Sequence, residues 1–255
     1  MKRTGGLLAA ATALLLCGCT TSDESTPEVE GSDADVPMLF MGNSHASLND
    51  LQAMIVTMVI PAHPGESVEA VAAPGWMFLE DRVQDSASMA LLRGQDWSYV
   101  VLQAQKYSTT GCCTYSTEEA KALIRTAREQ NAVPILFPEW PRLGVDETMR
   151  IYDLHVSIAQ VEPACVAPVG QAFDLSLQRH PALELHAADG NHSNPTGALL
   201  AALILATTIT GVSPLDMPVL EGFGVDAETQ ALLRAVAADT VAAWPPRAHC
   251  PDDPY

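Results

Sequence analysis

The stretch that most constrains this chain is residues 189–211. It reads Asp-Gly-Asn-His-Ser-Asn-Pro-Thr-Gly and then runs almost unbroken in apolar residues from Ala198 to Ile209. A segment so rich in Gly, Asn and Pro suits neither a helix interior nor a strand, so residues 189–194 read as a loop. Asn194 is a good N-cap and Pro195 suits the first helical position, so a helix begins there. That helix is apolar nearly all round, which places it inside the protein. Asp189 and His192 are therefore held on a loop fixed to the core. A carboxylate beside an imidazole is the base half of a nucleophilic triad, and the rest of the chain must supply the nucleophile.

The preceding sequence alternates strand and helix patterns. Residues 38–41 form a short apolar run that ends in Gly42-Asn43-Ser44-His45. Apolar residues at Leu48, Leu51, Met54, Ile55, Met58 and Val59 then follow helical spacing. Further strands are expected at 67–73, 99–102, 133–137 and 165–169, with helices at 77–93, 117–130 and 146–161 between them. A last helix is expected at 227–243. Alternation of this kind implies an α/β domain with a parallel sheet covered on both faces. The continuous apolar run Tyr99-Val100-Val101-Leu102 suits a central strand.

In such sheets, active groups collect at the carboxyl ends of the strands. Ser44, Gly75, Gln103 and Gln105 all follow expected strand ends, so one edge can gather them with Asp189 and His192. A serine hydroxyl is a poor nucleophile until a base takes its proton. His192 fits that role, and Asp189 fits the role of fixing its tautomer. An oxyanion needs preorganised donors, and losing one typically costs about 3–4 kcal/mol. The amides of Ser44 and Gly75, with a side-chain amide from Gln103 or Gln105, are the candidates. His45 reads as a pocket wall, Asn43 as a hydrogen-bonding group across the site, and Trp140 as either packing or a substrate platform. Glu139 is either a loop charge or part of the cleft.

Gly42-Asn43-Ser44, Gly75, Val-Val-Leu-Gln-Ala-Gln (100–105) and Asp189-Gly190-Asn191-His192 together resemble the ordered blocks of the SGNH hydrolase (GDSL-like lipase/esterase) superfamily, in its bacterial branch with a Gly-Asn-Ser block. The resemblance covers most of residues 38–211. It implies a flavodoxin-like three-layer α/β/α sandwich with a central, mostly parallel five-stranded sheet. It also implies ester hydrolysis through an acyl-enzyme on Ser44, with His192 as base and Asp189 as its partner. By carry-over, the amides of Ser44 and Gly75 line the oxyanion hole. The superfamily's third block carries an Asn as side-chain oxyanion donor; here Gln103 and Gln105 stand in that block. Two other readings use the same residues: a catalytically inactive binding lipoprotein, and an O-acyltransferase with the same triad.

The amino terminus has Lys2 and Arg3, an apolar run at 7–16, and then Cys17-Gly18-Cys19. A charged start and a short apolar core match an export signal. Residues 16–19 resemble the bacterial lipobox, which implies a lipoprotein signal peptide over 1–18 and lipidation of Cys19. Residues 19–36 read as an acidic, disordered tether, and 37–255 as the hydrolase domain. Thr20 after the Cys favours the outer membrane, with the membrane reached only through the lipid anchor.

Residues 37–255 carry 11 basic and 25 acidic residues. So acidic a domain repels phosphate backbones, which excludes nucleic acid as a partner. The seven histidines are scattered without H-E-x-x-H, and the cysteines lack paired zinc spacing, so no metal and no other cofactor is assigned. The expected partner is a small-molecule or glycan ester. Only 5% of the chain is aromatic, which argues against a long carbohydrate-stacking cleft. Four cysteines remain beyond the leader, and in an exported setting they favour disulfides. Sequence does not select among the three pairings; a bond between the adjacent Cys112 and Cys113 is strained, so the expectation is that each reaches Cys165 or Cys250, with free buried thiols as the alternative.

Overall fold

The structure is a computed structural model that describes residues 31–251 together with Met1 and Lys2. The export signal, Cys19 and most of the expected tether lie outside the described residues. Five strands form one sheet: β1 (Val36–Met41), β2 (Val68–Ala72), β3 (Tyr99–Gln103), β4 (Val133–Phe137) and β5 (Cys165–Val166). Their order is β2-β1-β3-β4-β5 and every pairing is parallel. Among the described residues the helices are α1 (Leu51–Val59), α2 (Leu79–Arg82), α3 (Ser86–Arg93), α4 (Glu118–Glu129), α5 (Thr148–Ala159), α6 (Val169–Arg179), α7 (Pro195–Thr210) and α8 (Ala227–Ala243). This is a flavodoxin-like three-layer α/β/α sandwich.

The period-two geometry of a strand sorts the core into two halves. On β1, Met38 and Phe40 face a cluster built with α1, α6, α7 and α8, while Leu39 and Met41 face one built with α3, α4 and α5. Both faces of the central strands are therefore dry. The strands carry unbroken apolar runs for that reason rather than an alternating pattern.

Helix α7 is the most deeply set element. Every residue from Gly197 through Ile209 is buried. Its start is fixed by the expected cap: the Asn194 side chain accepts from the Gly197 amide at 3.0 Å. Gly197 is required by space. A Cβ there would stand 2.2 Å from the Leu185 carbonyl oxygen and 3.1 Å from the Phe173 ring. The helix ends at Gly211 in the left-handed region (φ 73°), the usual stop for a helix.

Three expectations need correction. The expected helix at 77–93 is two helices, because Asp85 caps a fresh start by accepting from the Ser88 amide at 2.8 Å. The expected strand at 165–169 is only two residues long, and a helix not foreseen, α6, begins at Val169. Pro168 explains both: it has no N–H for the ladder, and it turns the chain into the helix. The third correction is the disulfide pairing. Cys165 is bonded to Cys250, which ties the carboxyl-terminal segment beside β5, while Cys112 and Cys113 both remain free thiols.

Candidate active site

The switch point of the sheet lies between β1 and β3, where chain connections leave in opposite directions, and ligands gather outside it. The chain leaves β1 through Gly42, where a Cβ would crowd Gln103 Oε1 at 2.6 Å and the Ala46 Cβ at 3.0 Å. Asn43 then caps a single 3₁₀ turn, its Oδ1 accepting from the His45 amide at 3.0 Å. Ser44 is the first residue of that turn. Its Oγ lies 2.8 Å from His192 Nε2, across 148 residues of sequence.

His192 is oriented from behind. Its Nδ1 is 2.6 Å from Asp189 Oδ2, and Asp189 Oδ1 accepts from the amides of Asn191 and His192 at 2.9 Å each. These bonds, led by the one from the His192 ring, hold the Asp189 carboxyl well below the usual carboxylate range. An ionised carboxylate only accepts, so Nδ1 carries the imidazole proton and Nε2 presents a lone pair to the serine hydroxyl. The loop itself is tied down at several points. Trp140 Nε1 donates to the Asn191 carbonyl at 2.8 Å, Leu143 N to that of Gly190 at 2.8 Å, and Asn49 Nδ2 to that of Ser193 at 2.7 Å. Trp140 is thus packing, stacked on Phe173 with centroids 5.1 Å apart, and not a substrate platform. His45 is buried between Trp140 and His192. Burial, then the neighbouring His192, pushes its pKa down to about 4, which makes it too weak to act as a second base at neutral pH.

The amides of Ser44 and Gly75 donate to no protein group among the described residues. Gly75 has φ 69°, a conformation glycine adopts at no steric cost. The loops that carry these amides are joined by a residue the sequence did not announce. Arg82 is 1% exposed and makes no ion pair among the described residues. Its Nη2 donates to the carbonyls of Gly42 at 2.7 Å and Gly75 at 2.6 Å, and its Nη1 to those of Pro74 at 2.5 Å and Ser88 Oγ at 2.9 Å. The Pro74 carbonyl belongs to the same peptide unit as the Gly75 N–H. A cation on that oxygen polarises the amide and makes it a stronger donor.

Gln105 has both side-chain N–H groups engaged, and Gln103 is fully buried with one of its two engaged. Gln103 is fully buried; its Oε1 accepts from the Asn43 amide at 2.9 Å and its Nε2 donates to Glu139 at 3.1 Å. Gln105 Nε2 donates to the carbonyls of Lys106 and Ser116, each at 2.9 Å. The longer arm of Gln reaches backbone and carboxylate partners around the site, so both amides act as braces. Asn43 has the free amide. Because Oδ1 is committed to the His45 amide, Nδ2 is left without a protein partner among the described residues, and Asn43 lines the cleft.

That cleft has a volume of about 430 Å³ and is lined by Asn43, His45, Phe78, Tyr107, Tyr115 and Glu139, among others. Three aromatic side chains, Phe78, Tyr107 and Tyr115, line it despite the low aromatic content. Glu139 belongs to the cleft and is not a loop charge: burial pushes its carboxyl up to about 7, against the hydrogen bond from Gln103. Among the described residues no three His, Cys, Asp or Glu side chains gather as metal ligands.

Comparison with family models finds no match, and neither does comparison with curated protein sequences. Solved structures do match. A candidate SGNH hydrolase from Slackia heliotrinireducens is 24% identical, with a TM-score of 0.56, over 69% of this chain and 99% of that one. A DUF4886 family protein from Bacteroides uniformis is 17% identical, with a TM-score of 0.60, over 82% of this chain and 95% of that one. At these identities the likeness establishes a shared fold: this chain has the α/β architecture of its SGNH neighbour.

The raised Glu139 carboxyl has a consequence for stability. Well below its ordinary pKa of 4.5, folded and unfolded states are both protonated, and the group contributes nothing. As pH rises from there to about 7, the unfolded chain releases the proton first, so stability falls and stays lower above that window. Glu139→Gln cannot ionise. The variant is expected to melt about 2–8 °C above the wild type near pH 8.5 and at the same temperature near pH 4, by scanning calorimetry. Equal differences at both pH values would show that Glu139 is not held neutral by the fold.

Proposed function

We propose that this protein is a serine ester hydrolase of SGNH type that cleaves carboxylic esters through an acyl-enzyme on Ser44. The observation that carries the reading is the unbroken line from Ser44 Oγ to His192 Nε2 at 2.8 Å and from His192 Nδ1 to Asp189 Oδ2 at 2.6 Å. His192 takes the hydroxyl proton as Ser44 attacks the ester carbonyl, and Asp189 stabilises the imidazolium. The amides of Ser44 and Gly75, with Asn43 Nδ2, receive the oxyanion. His192 then returns its proton to the departing alkoxide. Water attacks the acyl-enzyme by the same steps in reverse order, with His192 again as base, and releases the acid.

Location is part of the proposal. Cys19 is acylated after removal of residues 1–18, residues 19–36 act as the tether, and the domain works at the outer membrane. Metabolic labelling with a radioactive fatty acid tests this: label and membrane association should both be lost in Cys19→Ser, and a labelled variant would remove the anchor.

Two substitutions test the chemistry. Ser44→Ala should lower turnover of a short-chain aryl ester by about 10⁴-fold or more while melting within a degree or two of the wild type. Retained turnover in that variant would end the hydrolase reading. Arg82→Lys keeps the charge but loses the fork that reaches three carbonyls at once. In protein shown to be folded by circular dichroism, kcat should fall about 10- to 100-fold with KM nearly unchanged, because loosened donors are missed most in the transition state. An unaltered kcat would mean that the clamp does not organise the oxyanion donors.

A further inference from the structure

The loop between β3 and α4 arches over the cleft and carries the two free cysteines. Its neck is closed by Gln105 Nε2, which binds the carbonyls of Lys106 on one side and Ser116 on the other. Its crown is held to α5 by Arg150 Nη1, which donates to the Thr109 carbonyl. Within it, Tyr107, Thr109 and Tyr115 line the cleft beside Asn43 and His45. The same two tyrosines and Cys113 line an adjoining hollow of about 260 Å³. Cys113 therefore lines the hollow beside the cleft with Cys112 next to it, both exposed.

Their sulfurs are 2.9 Å apart, against about 2.05 Å for a formed disulfide. Ser108 Oγ lies 3.6 Å from the Cys112 sulfur and accepts from the Cys113 amide at 3.4 Å, which holds the pair at one side of the turn. Hydrogen bonds from Cys113, Thr110 and Ser108 lower the Cys112 thiol to about 7, while Cys113 is raised by its neighbour. Two exposed thiols this close allow one to attack an external disulfide and the other to displace it, as thiol–disulfide exchange requires. The remaining pair, Cys165 and Cys250, is already bonded and Cys165 is fully buried, so it does not compete.

We propose that Cys112 and Cys113 form a thiol–disulfide exchange site that closes to a vicinal disulfide in the loop whose Tyr107, Thr109 and Tyr115 line the cleft beside Asn43 and His45. The oxidant is a low-molecular-weight disulfide. The Cys112 thiolate attacks one of its sulfurs and displaces a thiolate, leaving a mixed disulfide on Cys112. Cys113 gives its proton to solvent, attacks the Cys112 sulfur and displaces the second thiolate. Two protein thiols are oxidised and one external disulfide is reduced to two thiols. Closing the pair fixes the crown of the loop, and with it the cleft wall formed by Tyr107, Thr109 and Tyr115. Its effect on turnover rests on the proposed hydrolase function, and it should appear in KM rather than kcat.

The experiment uses the purified chain. One portion is treated with oxidised glutathione and another with dithiothreitol under native conditions. Both are blocked with iodoacetamide and digested with trypsin. Cleavage after Lys106 and Lys121 gives a peptide holding Cys112 and Cys113 and no other cysteine. In the oxidised sample that peptide should be unlabelled and about 2 Da lighter than the free dithiol; in the reduced sample both cysteines should be labelled. Cys112→Ser should instead leave glutathione on Cys113. Two glutathiones, or two labels, on the oxidised wild-type peptide would overturn the proposal. Reduced and oxidised forms should differ at least about twofold in KM for a short aryl ester. Equal KM values would overturn the influence of the pair on the cleft. Absence of esterase activity in both forms would count against Ser44 as nucleophile and leave the mass result standing.

Discussion

The arrangement of this protein depends on the burial of α7. Each large apolar side chain on that helix contributes roughly 1.5–3 kcal/mol by leaving water, and Leu199, Leu200, Leu203, Ile204, Leu205 and Ile209 are all at or below 1% exposure. Burial on every side removes the rotational freedom that a surface helix keeps. The position of its first turn is then settled by contact: Gly197 is seated against the Leu185 carbonyl with no room for a methyl group. His192 lies only three residues before that turn, so the packing that fixes the helix also fixes where the imidazole stands. The base of the proposed hydrolase must be placed to within a fraction of an ångström, and here that precision comes from the least polar part of the chain.

The other half of the site is held by a different kind of force. The turn after β1 and the loop after β2 are irregular backbone, and their carbonyls cannot all be paired through the sheet. Arg82 pairs three of them at once. Burying a guanidinium without a carboxylate partner is costly, and burial does lower its pKa. What offsets the cost is the number of strong acceptors within reach of one planar fork. A charged pair would have consumed those donors. Without it, the cation acts on three peptide carbonyls and the Ser88 hydroxyl, and one of those peptide units carries the Gly75 amide.

These two supports were not equally legible in the sequence. Helix α7 was plain, because a long apolar run with Asn-Pro at its start has few alternatives, and the loop before it carried Asp189 and His192 in recognisable spacing. The strands were plain for a similar reason. Arg82 was invisible: it lies in a polar stretch, and nothing local distinguishes an exposed arginine from one folded inward to meet carbonyls 7 and 40 residues away. The run 165–169 misled because a short apolar segment serves a strand or a helix start equally well, and the deciding residue was Pro168. The disulfide was beyond reach for the same reason as Arg82, since pairing depends on which segments meet in space.

The two glutamines carry the most informative disagreement. The third block of the resemblance implied a side-chain amide for the oxyanion, and Gln offers the same amide on a longer arm. Length is what removed it from that role. From the end of β3, Gln103 reaches back to the Asn43 amide and down to Glu139, so its oxygen and one of its two N–H groups hold the turn that precedes Ser44. Gln105 spends its donors on closing the neighbouring loop. The amide that stays available is that of Asn43, whose oxygen is pinned by the His45 amide two residues on, which sets the orientation of its nitrogen. On the proposed hydrolase reading, the side-chain donor moves from the third strand to the first, beside Ser44, and the third strand serves as a brace. It also links the donor to a carboxyl: Asn43, Gln103 and Glu139 form one hydrogen-bonded chain, and a charge appearing on Glu139 changes how strongly Gln103 accepts from the backbone it supports.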